Sequence, residues 1–186
     1  MNHTMIKTYC QNRLSELFPI LTGGTPWGFL CLSSYVDFLA KLESNNDGKQ
    51  KGYKQFFSKW FPKEYTEFTY SSGKQDLPEQ FYHVFRCGLC HSFSLVPDSV
   101  AKKKGGRIKS ISISHDGIDE IDGTLYTHLS NYTKNGHDSA ILIGGDLCKD
   151  LSVVIDNMFK DESVQRNSEA WVSKFPPINS LKHHDL

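Results

Sequence analysis

Between Tyr82 and Phe93 the chain reads YHVFRCGLCHSF, and several chemistries use these residue types at these spacings. Cys87, Cys90 and His91 have the C-x-x-C-H spacing that attaches haem covalently, and Cys87 with Cys90 alone suits a redox pair or half of a zinc site. Arg86 and His91 form R-x4-H, a permanent cation and a proton shuttle five residues apart. Such a pair fits cleavage of an RNA phosphodiester without metal. One group takes the 2′-hydroxyl proton, one donates to the leaving oxygen, and positive charge steadies the phosphorane oxygens.

The cysteine readings meet specific obstacles. Covalent haem is installed after export, and MNHTMIKTYCQNRLSELFPI contains no apolar core of signal-peptide length. A zinc site needs two further ligands, yet Cys10, Cys31 and Cys148 stand singly on apolar stripes. A thioredoxin-type pair needs its thiols at a helix N-terminus, whereas this one falls well inside a helix. The plain alternative to catalysis is that Arg86 pairs with Glu79 or Asp76 and His91 is a satisfied histidine near a helix end. His83, one turn before Cys87, reads as exposed or as sharing a cleft with them.

The elements that position these residues follow from periodicity. Met5, Ile6, Tyr9, Cys10, Leu14, Leu17 and Phe18 recur at helical spacing, with Pro19 as the expected stop. Thr25 as N-cap and Pro26 at the first position open a second helix, striped by Trp27, Leu30, Cys31, Tyr35, Phe38, Leu39 and Leu42. Tyr53, Phe56, Phe57, Trp60 and Phe61 form an aromatic helix closed by Pro62. Asp76 and Glu79 make a capping box around Pro78, so a helix should begin at Leu77 and carry Phe81, Phe85, Gly88 and Leu89 on one face. On an ideal α-helix, positions five apart point about 140° from each other, so Arg86 and His91 need help to converge.

Beyond Pro97 the period changes to two, with Ile108 to Ser114 as one strand, Leu125 to Tyr132 as a weaker one and SAILIGG as a third. Asp146 then caps a helix carrying Leu147, Leu151, Val154, Ile155, Met158 and Phe159. The expected layout is a single α+β domain over 1–186: a helical body at about 1–96 and 146–166, a small antiparallel sheet inserted at about 107–143 before the last long helix, and a loose tail at about 167–186. The 21 basic and 21 acidic side chains cancel, so no global field recruits nucleic acid or an acidic membrane. No apolar run approaches the length of a membrane span, and the chain reads as cytoplasmic. The five scattered cysteines read as small buried hydrophobes.

FYHVFRCGLCHSF, preceded by the Trp27 to Leu42 helix and by Y-x2-F-F-x2-W-F, resembles the HEPN superfamily, in particular the R-x4-H segment of small bacterial HEPN-like proteins. The likeness covers about Cys31 to Phe93 and, more loosely, Ala140 to Phe159. It implies a HEPN-like helical bundle that pairs two-fold as a homodimer, with the motifs of both copies facing one cleft. It also implies a metal-independent endoribonuclease of a bacterial defence or toxin system, with His91 as general acid/base, Arg86 stabilising the phosphorane, and no cofactor. Many members carry asparagine or another polar residue after the arginine, where this chain has Cys87. The rival expectation is therefore a catalytically inert HEPN-like module that dimerises through the same helix and meets a protein partner through its β-arm.

Lys102, Lys103, Lys104 and Arg107, with Lys109, form the one dense basic patch of the sequence, placed to hold RNA beside the cleft or else to lie as a solvated loop. Gly144-Gly145-Asp146 lacks the G-K-[ST] of a phosphate loop and reads as a turn with a cap. Elemental analysis of purified protein should find no stoichiometric zinc and its spectrum no Soret band. Either signal would return the C-x-x-C-H reading.

Overall fold

The computed structural model describes residues 1–23, 27–45, 50–70, 73–74, 76–89, 110–114, 119–121, 123–134 and 137–175. Helix α1 spans His3–Thr22 and α2 spans Trp27–Ser44, followed by the aromatic helix α3 (Gln50–Trp60) and the short α4 (Lys63–Glu67). A two-residue hairpin, β1 (Thr69–Tyr70) and β2 (Gly73–Lys74), precedes α5 (Leu77–Phe81), which continues directly as a π-helix, π1 (Tyr82–Leu89). The strands β3 (Ser110–Ser114), β4 (Asp119–Ile121), β5 (Thr124–Tyr126), β6 (Asn131–Lys134) and β7 (His137–Ile143) follow, then α6 (Gly144–Met158) and α7 (Glu162–Lys174). The class is α+β. Helices α1, α2, α6 and α7 make a bundle in which α1 lies against α2 and α6, and α7 against α1 and α2.

Helix α1 runs through Pro19 instead of ending before it. Proline inside a helix forfeits one backbone hydrogen bond and crowds the preceding turn, at about 3 kcal/mol. Here the extra turn places Leu21 at the centre of the molecule, fully buried. The chain approaches Leu21 from two directions: a Cβ added at Gly28 would lie 2.9 Å from the Leu21 Cα, and one at Gly144 would lie 2.8 Å from the Leu21 carbonyl oxygen. Glycine at those two positions lets the starts of α2 and α6 close on the end of α1. Deeper in the bundle the Tyr35 hydroxyl donates to the Cys10 carbonyl at 2.7 Å, so a buried phenol is satisfied and α1 is tied to α2. The other end of α2 finishes in left-handed Asn45 (φ 49°), whose N–H reaches the Lys41 carbonyl.

Burial reproduces the expected apolar stripes with particular exceptions. Ile6, Cys10 and Leu14 are buried, but Met5 and Phe18 are exposed, as are Trp27 and Cys31 on α2. Thr25 and Pro26 lie outside the described residues. Residues 167–174, expected to open a loose tail, belong to α7 instead, and Ser168 is fully buried. The middle of α7 is tied down twice: Asn167 donates to the Glu43 carbonyl (2.6 Å), and Glu169 accepts from the His3 backbone N–H (2.8 Å).

The main sheet has the order β3-β7-β6 and is mixed, not antiparallel throughout: β7 runs parallel to β3 and antiparallel to β6. Ala140, Ile141, Leu142 and Ile143 are consecutive and fully buried, as expected of a central strand covered on both faces. The parallel pairing needs a crossover longer than a hairpin, and the chain between β3 and β7 supplies it. The single strand expected at Leu125 to Tyr132 is split into β5 and β6 by a turn in which Leu129 has φ 58°. Asp146 is not the cap of α6, because β7 enters the helix directly and Asp146 sits in its first turn, paired with Lys149 at 2.8 Å.

The glycine contacts make a contrasting pair of substitutions informative. Gly28→Ala should lower stability by about 1–3 kcal/mol, since only backbone atoms are available to move. Gly52→Ala, in α3 with nothing near the added Cβ, should raise it by about 0.4–1 kcal/mol. Urea unfolding monitored by circular dichroism reads both, and equal effects would discount the Leu21 junction.

Candidate functional site

The helix bearing the R-x4-H arginine starts where its capping box requires. The Asp76 carboxylate accepts from the Glu79 N–H at 3.1 Å, and Pro78 occupies the first turn. From Tyr82 onward the hydrogen bonding changes from α to π. Runs of this kind are uncommon and recur at functional sites. Arg86 lies within π1, half-buried, with its guanidinium carbon 5.5 Å from the centre of the Tyr82 ring. The side chain of Cys87, and all of His91, Lys102, Lys103, Lys104 and Arg107, lie outside the described residues.

The floor beneath Arg86 is aromatic. Phe81 is buried and packs on Phe57 (4.9 Å between ring centres), while Tyr82 meets Tyr53 edge-on at 5.6 Å. His83 is not exposed: it is buried, with Nε2 at 3.7 Å from Glu79 Oε1. The carboxylates offered by sequence as partners for Arg86 both meet a lysine. Lys54 of α3 contacts Asp76 and lies 3.6 Å from Glu79, and its ammonium is held above the usual lysine range first by the Asp76 hydrogen bond. Lys54 thus ties the aromatic helix to the start of the Arg86 helix.

A second polar cluster was not foreseen. The Ile143 N–H donates to His128 Nδ1 at 2.9 Å, so in the neutral ring the proton resides on Nε2. Nε2 lies 2.8 Å from the Tyr65 hydroxyl, which in turn donates to Asp150 Oδ2 at 2.7 Å. Tyr65 comes from α4, His128 from the turn before β6, and Asp150 from α6. No sequence motif joins them, so nothing local could have signalled the cluster. Burial first, then the Asp150 charge and hydrogen bond, push the Tyr65 phenol well above its ordinary range. With both ring nitrogens of His128 engaged, the cluster locks α4, the turn before β6 and α6 together. Beside it opens a groove of about 520 Å³ lined by Glu64, Glu67, Phe68, Thr69, His128, Leu129 and Asn131. Its two carboxylates oppose a phosphate backbone.

A larger groove of about 840 Å³ runs past Glu43, Lys51, Lys54, Gln55, Ser58 and Lys59. Its basic character is reduced by pairing, because Lys59 lies 3.1 Å from Glu43 and 3.3 Å from Asp161 while Lys54 is held as above. Among the described residues no helix is long and apolar enough to cross a membrane. The chain matches no family model, no curated protein and no solved structure.

Removing the Tyr65 hydroxyl strands the imidazole donor and the carboxylate, so Tyr65→Phe should cost about 1–3 kcal/mol at neutral pH. The sign of the pH effect follows from the raised phenol: the folded state keeps its proton when the unfolded chain loses it near pH 10, so stability falls as pH rises beyond that value. Tyr65→Phe should flatten this alkaline decline. Urea titrations at pH 7 and above pH 10 measure both effects, and an unchanged slope would remove the phenol from the account.

Proposed function

We propose that the chain is a HEPN-like, metal-independent endoribonuclease, with His91 as the general acid/base and Arg86 as the cation that stabilises the phosphorane. The observation that carries this reading is that Arg86 lies in a π-helical run, half-buried over an aromatic floor, since such runs recur at functional sites. The anchoring of this helix at Asp76, Lys54 and Phe81 is the kind of support that fixes a charged group before substrate arrives. Lys102, Lys103, Lys104 and Arg107 are assigned to the RNA backbone.

The rival reading is a catalytically inert HEPN-like interaction module. Cys87 directly after Arg86 favours it, because a thiol is a weak hydrogen-bonding group where a polar side chain would orient substrate. The two readings diverge in a simple assay. The enzyme cleaves single-stranded RNA in the presence of EDTA and leaves 2′,3′-cyclic phosphate ends, since the attacking group is the neighbouring hydroxyl. Arg86→Ala and His91→Ala should each remove activity by about 10²- to 10⁴-fold while leaving the circular dichroism spectrum intact. Neutralising Lys102 to Lys104 should weaken binding and flatten its salt dependence without changing the products. Intact RNA with the wild-type chain across varied substrates, or undiminished cleavage by His91→Ala, would establish the inert module.

A further inference from the structure

His128 makes two hydrogen bonds that only a neutral imidazole can make together. Nδ1 accepts from the Ile143 N–H at 2.9 Å, so it carries no proton of its own, and Nε2 meets the Tyr65 hydroxyl at 2.8 Å. A protonated imidazole is a donor at both nitrogens. The second proton must therefore go onto Nδ1, where it would face the Ile143 N–H donor to donor. Binding that proton and accepting from Ile143 exclude each other.

The charged groups around the ring are mostly acidic. Asp150 Oδ2 of α6 lies 3.5 Å from Nε2. Asp146 of α6, paired with Lys149 at 2.8 Å, and Glu64 of α4 both act on the Tyr65 phenol that touches the ring. Glu64 and Glu67 line the same groove as His128, and its described lining residues include no lysine or arginine. From β7 the ring meets only the backbone of Ile143 in a hydrogen bond. The surroundings thus favour a positive ring, while the nitrogen that must take the proton is occupied by a donor. The side chain is 12% exposed at the groove, which gives solvent protons a route to it.

The bond at stake sits where β7 turns directly into α6. Ile143 is fully buried and ends the strand. Gly144 follows it and rests on the end of α1, where an added Cβ would lie 2.8 Å from the Leu21 carbonyl oxygen. A buried N–H without an acceptor is costly, so the junction shifts until the amide finds one. Nε2 keeps its proton in either state, so the arm through Tyr65 to Asp150 survives.

We propose that His128 is an acid-sensitive latch between the sheet and the helical bundle: a proton on Nδ1 breaks the bond to the Ile143 N–H and loosens the β7 to α6 junction, while the Tyr65 side of the ring stays engaged. The loosened form binds one more proton than the latched form, so its share grows as pH falls. Histidine suits this task because it changes charge between about pH 5 and 8. No residue of the latch belongs to the Arg86 helix, and the inference is independent of the ribonuclease reading.

Nuclear magnetic resonance of the nitrogen-15-labelled full chain tests the latch, with amide exchange read as protection factors at each pH. At neutral pH the His128 ring should carry its proton on Nε2. On acidification the Ile143 amide signal should move with the same midpoint as the His128 ring, and protection across 139–150 should fall by about 10- to 100-fold. Protection across 77–89 and 162–174 should hold. In His128→Gln, whose side chain takes up no proton in this range, the acid step at Ile143 should vanish. If that variant fails to fold, the wild-type midpoints decide alone. A proton on Nδ1 at neutral pH, an Ile143 amide unmoved after the ring is charged, a ring still neutral where the whole chain unfolds, or an acid step that persists in folded His128→Gln would each overturn the proposal.

Discussion

The Tyr65 hydroxyl is the constraint on which most of this structure depends. It is fully buried, so its donor and its acceptor capacity both need partners, and they come from elements far apart in sequence: His128 before β6 and Asp150 in α6. His128 extends the chain to the Ile143 N–H at the point where β7 becomes α6. The ring of Tyr65 meanwhile packs against Phe61 at 5.0 Å and against Phe57 and Phe81 at 6.1 Å each. One side chain thus joins the strands to the helical body and rests against the residue from which π1 departs. Apolar contacts alone tolerate sliding. A hydroxyl with one donor direction and one accepted proton does not.

From this junction the environment of Arg86 follows. Phe81 is seated by Phe57 and Tyr65, Lys54 fastens α3 to the carboxylates at the start of α5, and the next turn widens into π1. A π-helix has poorer backbone packing than an α-helix and persists where side-chain contacts compensate. Tyr82 against Tyr53 and buried His83 beside Glu79 supply such contacts. The guanidinium is therefore presented from a floor made of rings and paired charges, an arrangement suited to holding a cation in place at low reorganisation cost. The proposed ribonuclease chemistry draws on that property.

What was legible in the sequence was local. The Asp76 cap and the start at Leu77, the aromatic helix from Tyr53 to Phe61, the apolar face of α6 and the buried run in SAILI each depend on neighbours within a few residues, and each stands in the structure. Two misreadings are local, the supposed Asp146 cap and the unbroken strand through Leu129; the others involve distant contacts. Pro19 ought to stop α1, but the packing of Gly28 and Gly144 onto Leu21 favours another turn. Ser168 looked like the start of a polar tail until its burial against the bundle as part of α7. The parallel partner of β7 lies across a crossover that no period-two pattern encodes. Of the candidate site, Arg86 and His83 were singled out by motif and spacing, yet the burial of His83 depends on tertiary packing and the π geometry on contacts outside the motif. Tyr65, His128 and Asp150 have no local pattern at all.

The central claim is that one buried hydroxyl couples the strands to the Arg86 helix, and amide hydrogen exchange followed by mass spectrometry tests it most directly. In Tyr65→Phe, exchange should accelerate both in peptides covering 139–150 and in peptides covering 77–89, while peptides within 162–174 stay as in the wild type. Acceleration confined to the neighbourhood of residue 65, with the Arg86 helix and the β7 to α6 junction unchanged, would contradict the account.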